Sequence, residues 1–149
     1  KTKLLSIFKW ERRKGYDILL ESFLSEFSDA SGLADDGVCL FIRAASYHGD
    51  VTFEAEVSAT SKRLRLPSSE EGGASGRIFL IQDELSWVDL PRLYKAVDAF
   101  VLPSRGEGWG RPHVEAMATG LPIVATNWSG PCTSPSLDSS PCLAAPSCW

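Results

Sequence analysis

The spacing of apolar residues along the chain is the feature that most constrains its fold. Short apolar runs, each about as long as a buried strand, alternate with segments that carry helical stripes or turn-forming residues. The runs are 4–8, 38–42, 77–81, 99–103 and 121–126. Parallel strands need a crossover connection of a dozen or more residues, usually a helix. The alternation therefore predicts an α/β fold with a parallel sheet and helices on both faces.

Three connections show a clear helical pattern. Tyr16 to Phe27 places apolar residues on one face, Asp89 begins a segment with an apolar stripe, and 112–119 forms a short helix that ends at Gly120. The segment 44–76 has the weakest secondary-structure pattern in the chain. It should contain a crossover helix, for which 53–59 has a suitable composition, and 67–76 is expected to be a mobile connection.

The stretch 104–115, S-R-G-E-G-W-G-R-P-H-V-E, lies between the fourth apolar run and the last predicted helix. Unpaired N–H groups at a helix N-terminus favour anions, and glycines let a ligand approach the backbone. The sequence therefore predicts an anion site here, with Glu107 in the loop and Glu115 on the helix. By spacing alone, an ordinary strand–loop–helix corner explains the stretch equally well.

A basic cluster follows the first apolar run: Lys9, Arg12, Arg13 and Lys14, before Gly15. Loops at the carboxyl ends of strands are where open α/β sheets bind ligands. The cluster thus predicts a second contribution to the anion site, and a solvated basic loop is the alternative interpretation.

The run E-G-W-G-R-P-H-V-E-A-M-A-T-G-L-P-I-V-A-T resembles the signature of the group 1 (sequence family 4) glycosyltransferases, whose donor-binding half has two glutamates separated by seven residues. The resemblance implies a Rossmann-like sheet, the C-terminal donor-binding domain of the GT-B fold. It covers about 4–131, so the chain resembles a truncated domain that lacks the acceptor-binding N-terminal domain. We divide the chain into this partial domain at 1–131 and a tail at 132–149, where serine, proline and alanine without periodicity predict disorder.

The resemblance also assigns roles to individual residues. Lys9 and Lys14 match the two basic residues that hold the donor's diphosphate. Lys9 stands where the family has arginine, and Phe8 stands where it has glycine. Glu107 would hold a donor-sugar hydroxyl, which makes Glu107, Lys14 and Lys9 the expected catalytic residues. The expected donor-binding residues are Gly108, Trp109, Gly110, Glu115, Gln82 and Leu85.

In that assignment, Glu115 accepts hydrogen bonds from the ribose, and Gln82 and Leu85 line the base pocket beside Asp83, where the family usually has glycine. No two aspartates stand two residues apart, so the metal-binding Asp-x-Asp of the other large glycosyltransferase fold is missing. We expect no metal and no cofactor. The substrate would be a nucleotide-diphosphate sugar, the acceptor is unknown, and the family's chemistry retains the anomeric configuration.

Composition narrows the partners. A net charge of −4 argues against a nucleic-acid surface, and no apolar run is long enough to span a bilayer. Cys39 is expected in the core, and Cys132, Cys142 and Cys148 match no zinc pattern, so incidental thiols are expected. His48 is expected on the surface, and His113 is either exposed or functional. The compartment stays open, with the cytosol or the cytosolic face of a membrane as the expectation.

Three functions remain. The first is a donor-binding domain of a retaining glycosyltransferase, which would turn over little or nothing as an isolated chain. The second is a catalytically inactive remnant that serves as a nucleotide-sugar-binding or interaction module. The third, a dinucleotide-dependent oxidoreductase, is disfavoured because no G-x-G-x-x-G follows the first apolar run.

Overall fold

The computed structural model describes residues 1–28, 37–45, 52–68, 70, 73–129 and 142–145. These residues form a single parallel sheet with helices packed against it. The strands are β1 Thr2–Lys9, β2 Val38–Ala45, β3 Ile78–Ile81, β4 Ala99–Leu102, β5 Ile123–Thr126 and β6 Cys142–Ala145. The helices are α1 Tyr16–Glu26, α2 Phe53–Arg63, α3 Asp89–Lys95 and α4 Arg111–Ala118. The predicted α/β fold is confirmed.

The strand order is β3-β2-β1-β4-β5-β6, so the direction of chain progression reverses between β1 and β4. This is the order of the doubly wound Rossmann fold, which binds ligands in the crevice at that reversal. β1 pairs with β2 over eight residues, from Thr2 to Lys9, but with β4 only at Leu4 and Leu5. Beyond Leu5, the two strands are no longer paired, which leaves room for loops at their carboxyl ends.

The sheet is buried by helices on both faces. Right-handed crossovers place the helices before and after the reversal on opposite sides of the sheet. α1 packs against α2, and α4 packs against β4 and β5. The centre of the core consists of side chains with no solvent exposure, which are Leu5, Leu20, Leu24, Leu40, Ile42, Phe100 and Leu102. These residues come from the predicted apolar runs and from the predicted stripe of α1.

The structure differs from the sequence-based expectations in the segment 132–149. We expected a disordered tail there, but Cys142–Ala145 pairs in parallel with β5 from Ile123 to Thr126. The expectation of disorder does not hold for these four residues, because apolar residues 142–145 extend the sheet edge that β5 offers. The other residues of the tail lie outside the described part of the chain.

The segment 44–76 contains the expected crossover helix, α2, which is longer than the predicted 53–59. Thr52 accepts a hydrogen bond from the N–H of Ala55 at 3.3 Å and caps this helix. Part of the predicted mobile connection is ordered. Ala74 is fully buried, and the Gly73 N–H donates to the Ser68 carbonyl at 2.8 Å. His48 lies outside the described residues.

α3 begins at Asp89, as the sequence predicts. Val88 occupies the N-cap position and makes no side-chain capping bond. Ser86 lies just before it, and its Oγ accepts a hydrogen bond from the Asp89 N–H at 3.2 Å and donates one to the Asp89 carboxylate at 2.6 Å. Within the described residues, no helix is both long and apolar enough to cross a membrane.

Candidate functional site

Two loops meet at the reversal between β1 and β4, and a glycine permits their close approach. Residues 10–15 follow β1 and residues 103–110 follow β4; we call them the basic loop and the signature loop. Gly15 has a left-handed φ of 73°, and a Cβ added there would lie 2.0 Å from the Pro103 carbonyl oxygen. Only glycine can place the two backbones this close.

The two loops also hold each other through arginines. Arg105 of the signature loop makes a bidentate ion pair with Asp17 at 2.7 and 2.8 Å and donates to the Arg12 carbonyl at 2.7 Å. Its backbone N–H donates to the Arg13 carbonyl at 2.8 Å. In return, Arg13 donates to the Gly106 carbonyl at 2.5 Å. Bidentate arginine pairs fix orientation as well as distance, so the relative position of the loops is defined.

The ion pair with Arg105 lowers the pKa of the Asp17 carboxyl. Burial alone would raise the pKa of Asp17, but the hydrogen bonds and positive charge of Arg105 outweigh it and hold the pKa below its ordinary value of 3.8. A carboxylate with a lowered pKa in the folded state stabilises the fold above its ordinary pKa, and this stabilisation is lost as the pH falls through the folded-state value.

Replacing Asp17 with asparagine is therefore expected to lower the free energy of unfolding at pH 7 by about 1–2 kcal/mol, because Arg105 loses its charged partner. The difference from the wild type should narrow below about pH 4, because the Asp17 carboxyl of the unfolded chain binds its proton at a higher pH than that of the folded chain. Urea unfolding at pH 7, 5, 4 and 3 measures this. Glu21→Gln, which removes an ion pair to Arg63 between half-exposed side chains, is the control and should cost little. An undiminished difference at pH 3 would contradict the prediction.

Lys14 and Glu107 form the centre of the site. The Lys14 ammonium lies 2.7 Å from Oε1 and 2.8 Å from Oε2 of Glu107. The two side chains are only 12% and 6% exposed, and Nη1 of Arg13 lies 3.7 Å from the same carboxylate. In this arrangement the carboxylate neutralises the cation, so an incoming anion would compete with Glu107 for Lys14.

The signature loop leads into α4 through a tight turn. Gly110 precedes the helix with φ 70°, and a Cβ at Gly106 or Gly108 would meet no atom within 4 Å. The backbone around Gly108 is therefore open to a ligand, as the glycines predict. The Glu107 N–H donates to Ser129 Oγ at 2.9 Å, which ties the loop to the residues after β5. The Trp109 side chain is 63% exposed beside this opening.

Glu115 lies on α4. Its Oε2 accepts a hydrogen bond of 3.0 Å from the Tyr94 hydroxyl, and its Oε1 lies 3.7 Å from Arg111. Its side chain is 34% exposed, so the carboxylate that accepts from Tyr94 is still partly accessible.

The remaining predicted site residues are less closely tied to this centre. The described part of the chain shows no ion pair or side-chain hydrogen bond for Lys9, and the second cation beside Glu107 is Arg13. Gln82 is exposed and Leu85 half-buried in the loop after β3, at the far side of β2. Their roles in binding a base stay predictions.

His113 is part of the core, so of the two alternatives for it, exposed or functional, exposure is wrong. Its side chain is 2% exposed, and its ring packs edge-on against Phe100 with centroids 5.6 Å apart. The pKa of His113 lies below its ordinary value because burial lowers it by more than the nearby Glu107 carboxylate raises it. The imidazole is therefore kept neutral. The described residues contain no group of three or more His, Cys, Asp or Glu side chains that could hold a metal ion.

A doubly wound sheet with this strand order defines the class of Rossmann-like α/β domains. The chain belongs more specifically to the family described as "Glycosyl transferases group 1", whose model matches residues 3–146. The family resemblance of residues 107–126 is therefore confirmed.

Individual relatives agree with this assignment. The chain is 31% identical over 115 residues to the lipopolysaccharide core biosynthesis mannosyltransferase LpsB of Rhizobium meliloti, covering 77% of this chain and 28% of LpsB. It resembles the crystal structure of the C-terminal domain of the group 1 glycosyl transferase LpcC from Francisella tularensis, with a TM-score of 0.62, 22% identity and coverage of 84% and 58%.

A third similar structure is Anabaena HepE in complex with UDP-glucose, with a TM-score of 0.65, 22% identity and coverage of 89% of this chain and 31% of HepE. The fold is thus that of a C-terminal-like domain of the GT-B glycosyltransferases. The chain spans less than a third of the length of LpsB and of HepE.

Proposed function

We propose that this chain is the donor-binding part of a retaining glycosyltransferase and that it holds the diphosphate of a nucleotide sugar between the basic loop and the signature loop. One observation carries the proposal: Lys14 lies 2.7 Å from Glu107, at the reversal of strand order and beside the open backbone of Gly108. HepE, which has the same fold, was solved with UDP-glucose.

The chemistry of sugar transfer explains why such groups are needed. As the bond between the anomeric carbon and the diphosphate breaks, negative charge grows on the leaving oxygen and the sugar gains oxocarbenium character. Preorganised cations and N–H dipoles stabilise this charge. Lys14 would supply a cation, with Lys9 or Arg13 as a second. The N–H groups of Gly108, Trp109 and Gly110 would supply the dipoles.

The carboxylates would hold the sugars. When a diphosphate displaces Glu107 from Lys14, the freed carboxylate can accept a hydrogen bond from a donor-sugar hydroxyl, while Glu115 accepts from the ribose. Gln82 and Leu85 would border the base. We propose no metal or cofactor for this reaction. An N-terminal acceptor domain would complete the active site and bind an acceptor that the sequence does not identify.

A second candidate is an inactive nucleotide-sugar-binding or interaction module. It shares the fold and the candidate site with the first candidate, and the chain spans 28% of the length of LpsB. Sites in two-domain proteins commonly lie at the domain interface, so this chain alone would turn over donor slowly or not at all.

Thermal unfolding with UDP, GDP and ADP tests the proposal. A ligand at a hundred times its dissociation constant should stabilise the chain by about 2.7 kcal/mol. The stabilisation should disappear in Lys14→Ala and weaken in Glu115→Gln, with each variant compared with its own ligand-free midpoint. Lys62→Ala removes an exposed lysine of α2 and is the matched control, which should keep the full stabilisation.

The three nucleotides also separate nucleotide binding from a module that serves only in interactions. Stabilisation by one of them that depends on Lys14 supports donor binding. Absence of stabilisation by all three would contradict donor binding and favour the interaction module. Equal stabilisation of the wild type and Lys14→Ala would place the nucleotide elsewhere.

A further inference from the structure

A tyrosine that the sequence did not mark is held beside Glu115. Tyr94 belongs to α3 and is 1% exposed. Its ring packs against Phe100 with centroids 5.9 Å apart, so packing fixes the direction in which its hydroxyl points. A buried tyrosine hydroxyl needs a hydrogen-bond partner, and the partner in this chain is the carboxylate that we assign to ribose binding.

The contact leaves Glu115 able to bind a ligand. The Tyr94 hydroxyl lies 3.0 Å from Glu115 Oε2 and 3.3 Å from the Pro112 carbonyl. It has one proton, and the charged oxygen is the stronger acceptor. Among the described residues, the charged partner near Oε1 is Arg111 at 3.7 Å, whose side chain is 83% exposed. A carboxylate has about four acceptor positions, so the tyrosine occupies one and leaves the accessible edge free.

The hydroxyl remains a donor throughout the neutral range. Burial raises the pKa of Tyr94 far above its ordinary value, and the neighbouring Glu115 charge and hydrogen bond raise it further. The direction of the hydrogen bond is therefore fixed, with tyrosine donating and glutamate accepting.

From this geometry we propose that Tyr94 is a positioning residue for nucleotide recognition, which holds Glu115 in the orientation that accepts hydrogen bonds from the ribose hydroxyls. The inference rests on the proposed function, because it assumes that Glu115 meets a ribose. Without the hydroxyl, the glutamate would sample other rotamers and turn towards Arg111, and binding would have to order it again.

Ribose selectivity tests the inference. The dissociation constants of UDP, GDP and ADP are measured by calorimetry against those of their 2′-deoxy forms, for the full chain and for Tyr94→Phe. The wild type should bind its preferred ribonucleotide about tenfold more tightly than the deoxy form, because a hydrogen bond to a charged group is lost. Tyr94→Phe should reduce this ratio to about twofold, since the orientation of Glu115 is no longer fixed.

Controls separate positioning from stability. Tyr16→Phe removes a hydroxyl that lies 3.5 Å from Glu56 and should leave the ratio unchanged. In a Glu115→Gln background, Tyr94→Phe should have no further effect on the ratio, because both changes act on the same contact.

The outcomes distinguish this inference from the function on which it rests. A wild-type ratio that falls in Glu115→Gln but stays at its full value in Tyr94→Phe overturns the role of Tyr94 alone. Equal weakening of both nucleotides in Tyr94→Phe also overturns it, because that result indicates a merely structural residue. Failure of the wild type to bind any of the three ribonucleotides overturns the proposed function and the inference together.

Discussion

Replacing Gly15 with alanine is expected to lower the free energy of unfolding by about 3 kcal/mol or more, the largest effect of any single change considered for this chain. An alanine in the left-handed conformation costs about 1–2 kcal/mol by itself. The added Cβ would also lie 2.0 Å from the Pro103 carbonyl oxygen, which forces a backbone to move. Overpacking of this kind costs about 1–3 kcal/mol.

Gly120 offers a matched control. Its φ is +75°, close to the +73° of Gly15, but a Cβ there would meet no atom within 4 Å. Gly120→Ala should therefore cost only about 1–2 kcal/mol, the conformational part alone. Urea unfolding measures the loss of unfolding free energy in both variants, and the difference between the two losses is the cost of the contact with Pro103. Equal losses in the two variants would mean that the loops are not in close contact.

The second large effect is expected at the Lys14–Glu107 pair. Lys14→Met leaves the Glu107 carboxylate, which is 6% exposed, without its main partner. Glu107→Gln leaves the Lys14 ammonium, which is 12% exposed, without its charged partner. Removing one member of a buried pair costs about 3 kcal/mol. Arg13, 3.7 Å from Glu107, should reduce the loss in Lys14→Met. The double variant should lose much less than the sum of the two.

A double-mutant cycle measures this coupling. The matched control is the Arg63–Glu21 pair at 3.1 Å, whose side chains are 55% and 47% exposed. Exposed pairs contribute about 0–1 kcal/mol, so its cycle should give a small coupling. If the Lys14–Glu107 cycle were equally small, the two groups would not be paired in solution, and the competition between Glu107 and a diphosphate would have no basis.

Much of the fold could be predicted from the sequence because its signals are local. Apolar runs of strand length and the stripe of α1 identify five strands and the first helix, and their alternation requires a parallel sheet. β6 was missed because four residues in a segment rich in serine and proline carry little periodicity. The contacts of Ser86 with Asp89 at the start of α3 were not predicted, because they depend on the geometry of the turn between the two residues.

The site could be predicted only in part. Motif spacing pointed to Lys14, Glu107 and Glu115 as candidate site residues, because glycines and charged residues at fixed spacings form a local sequence pattern. The contacts of Arg105 with Asp17 and of Tyr94 with Glu115 join residues that are far apart in the chain. They depend on strand order, which no local pattern reveals. The adjacency of Arg105 and Asp17 could have been expected once β1 and β4 were known to be neighbours.

We expect the basic loop and the signature loop to bind one diphosphate together. The most direct measurement is a ¹H–¹⁵N NMR titration of the full chain with whichever of UDP, GDP and ADP stabilises it most. The amide signals of Lys14 and of Gly108 and Gly110 should shift in parallel and give a single dissociation constant. Shifts confined to one loop, or two different dissociation constants, would contradict the claim.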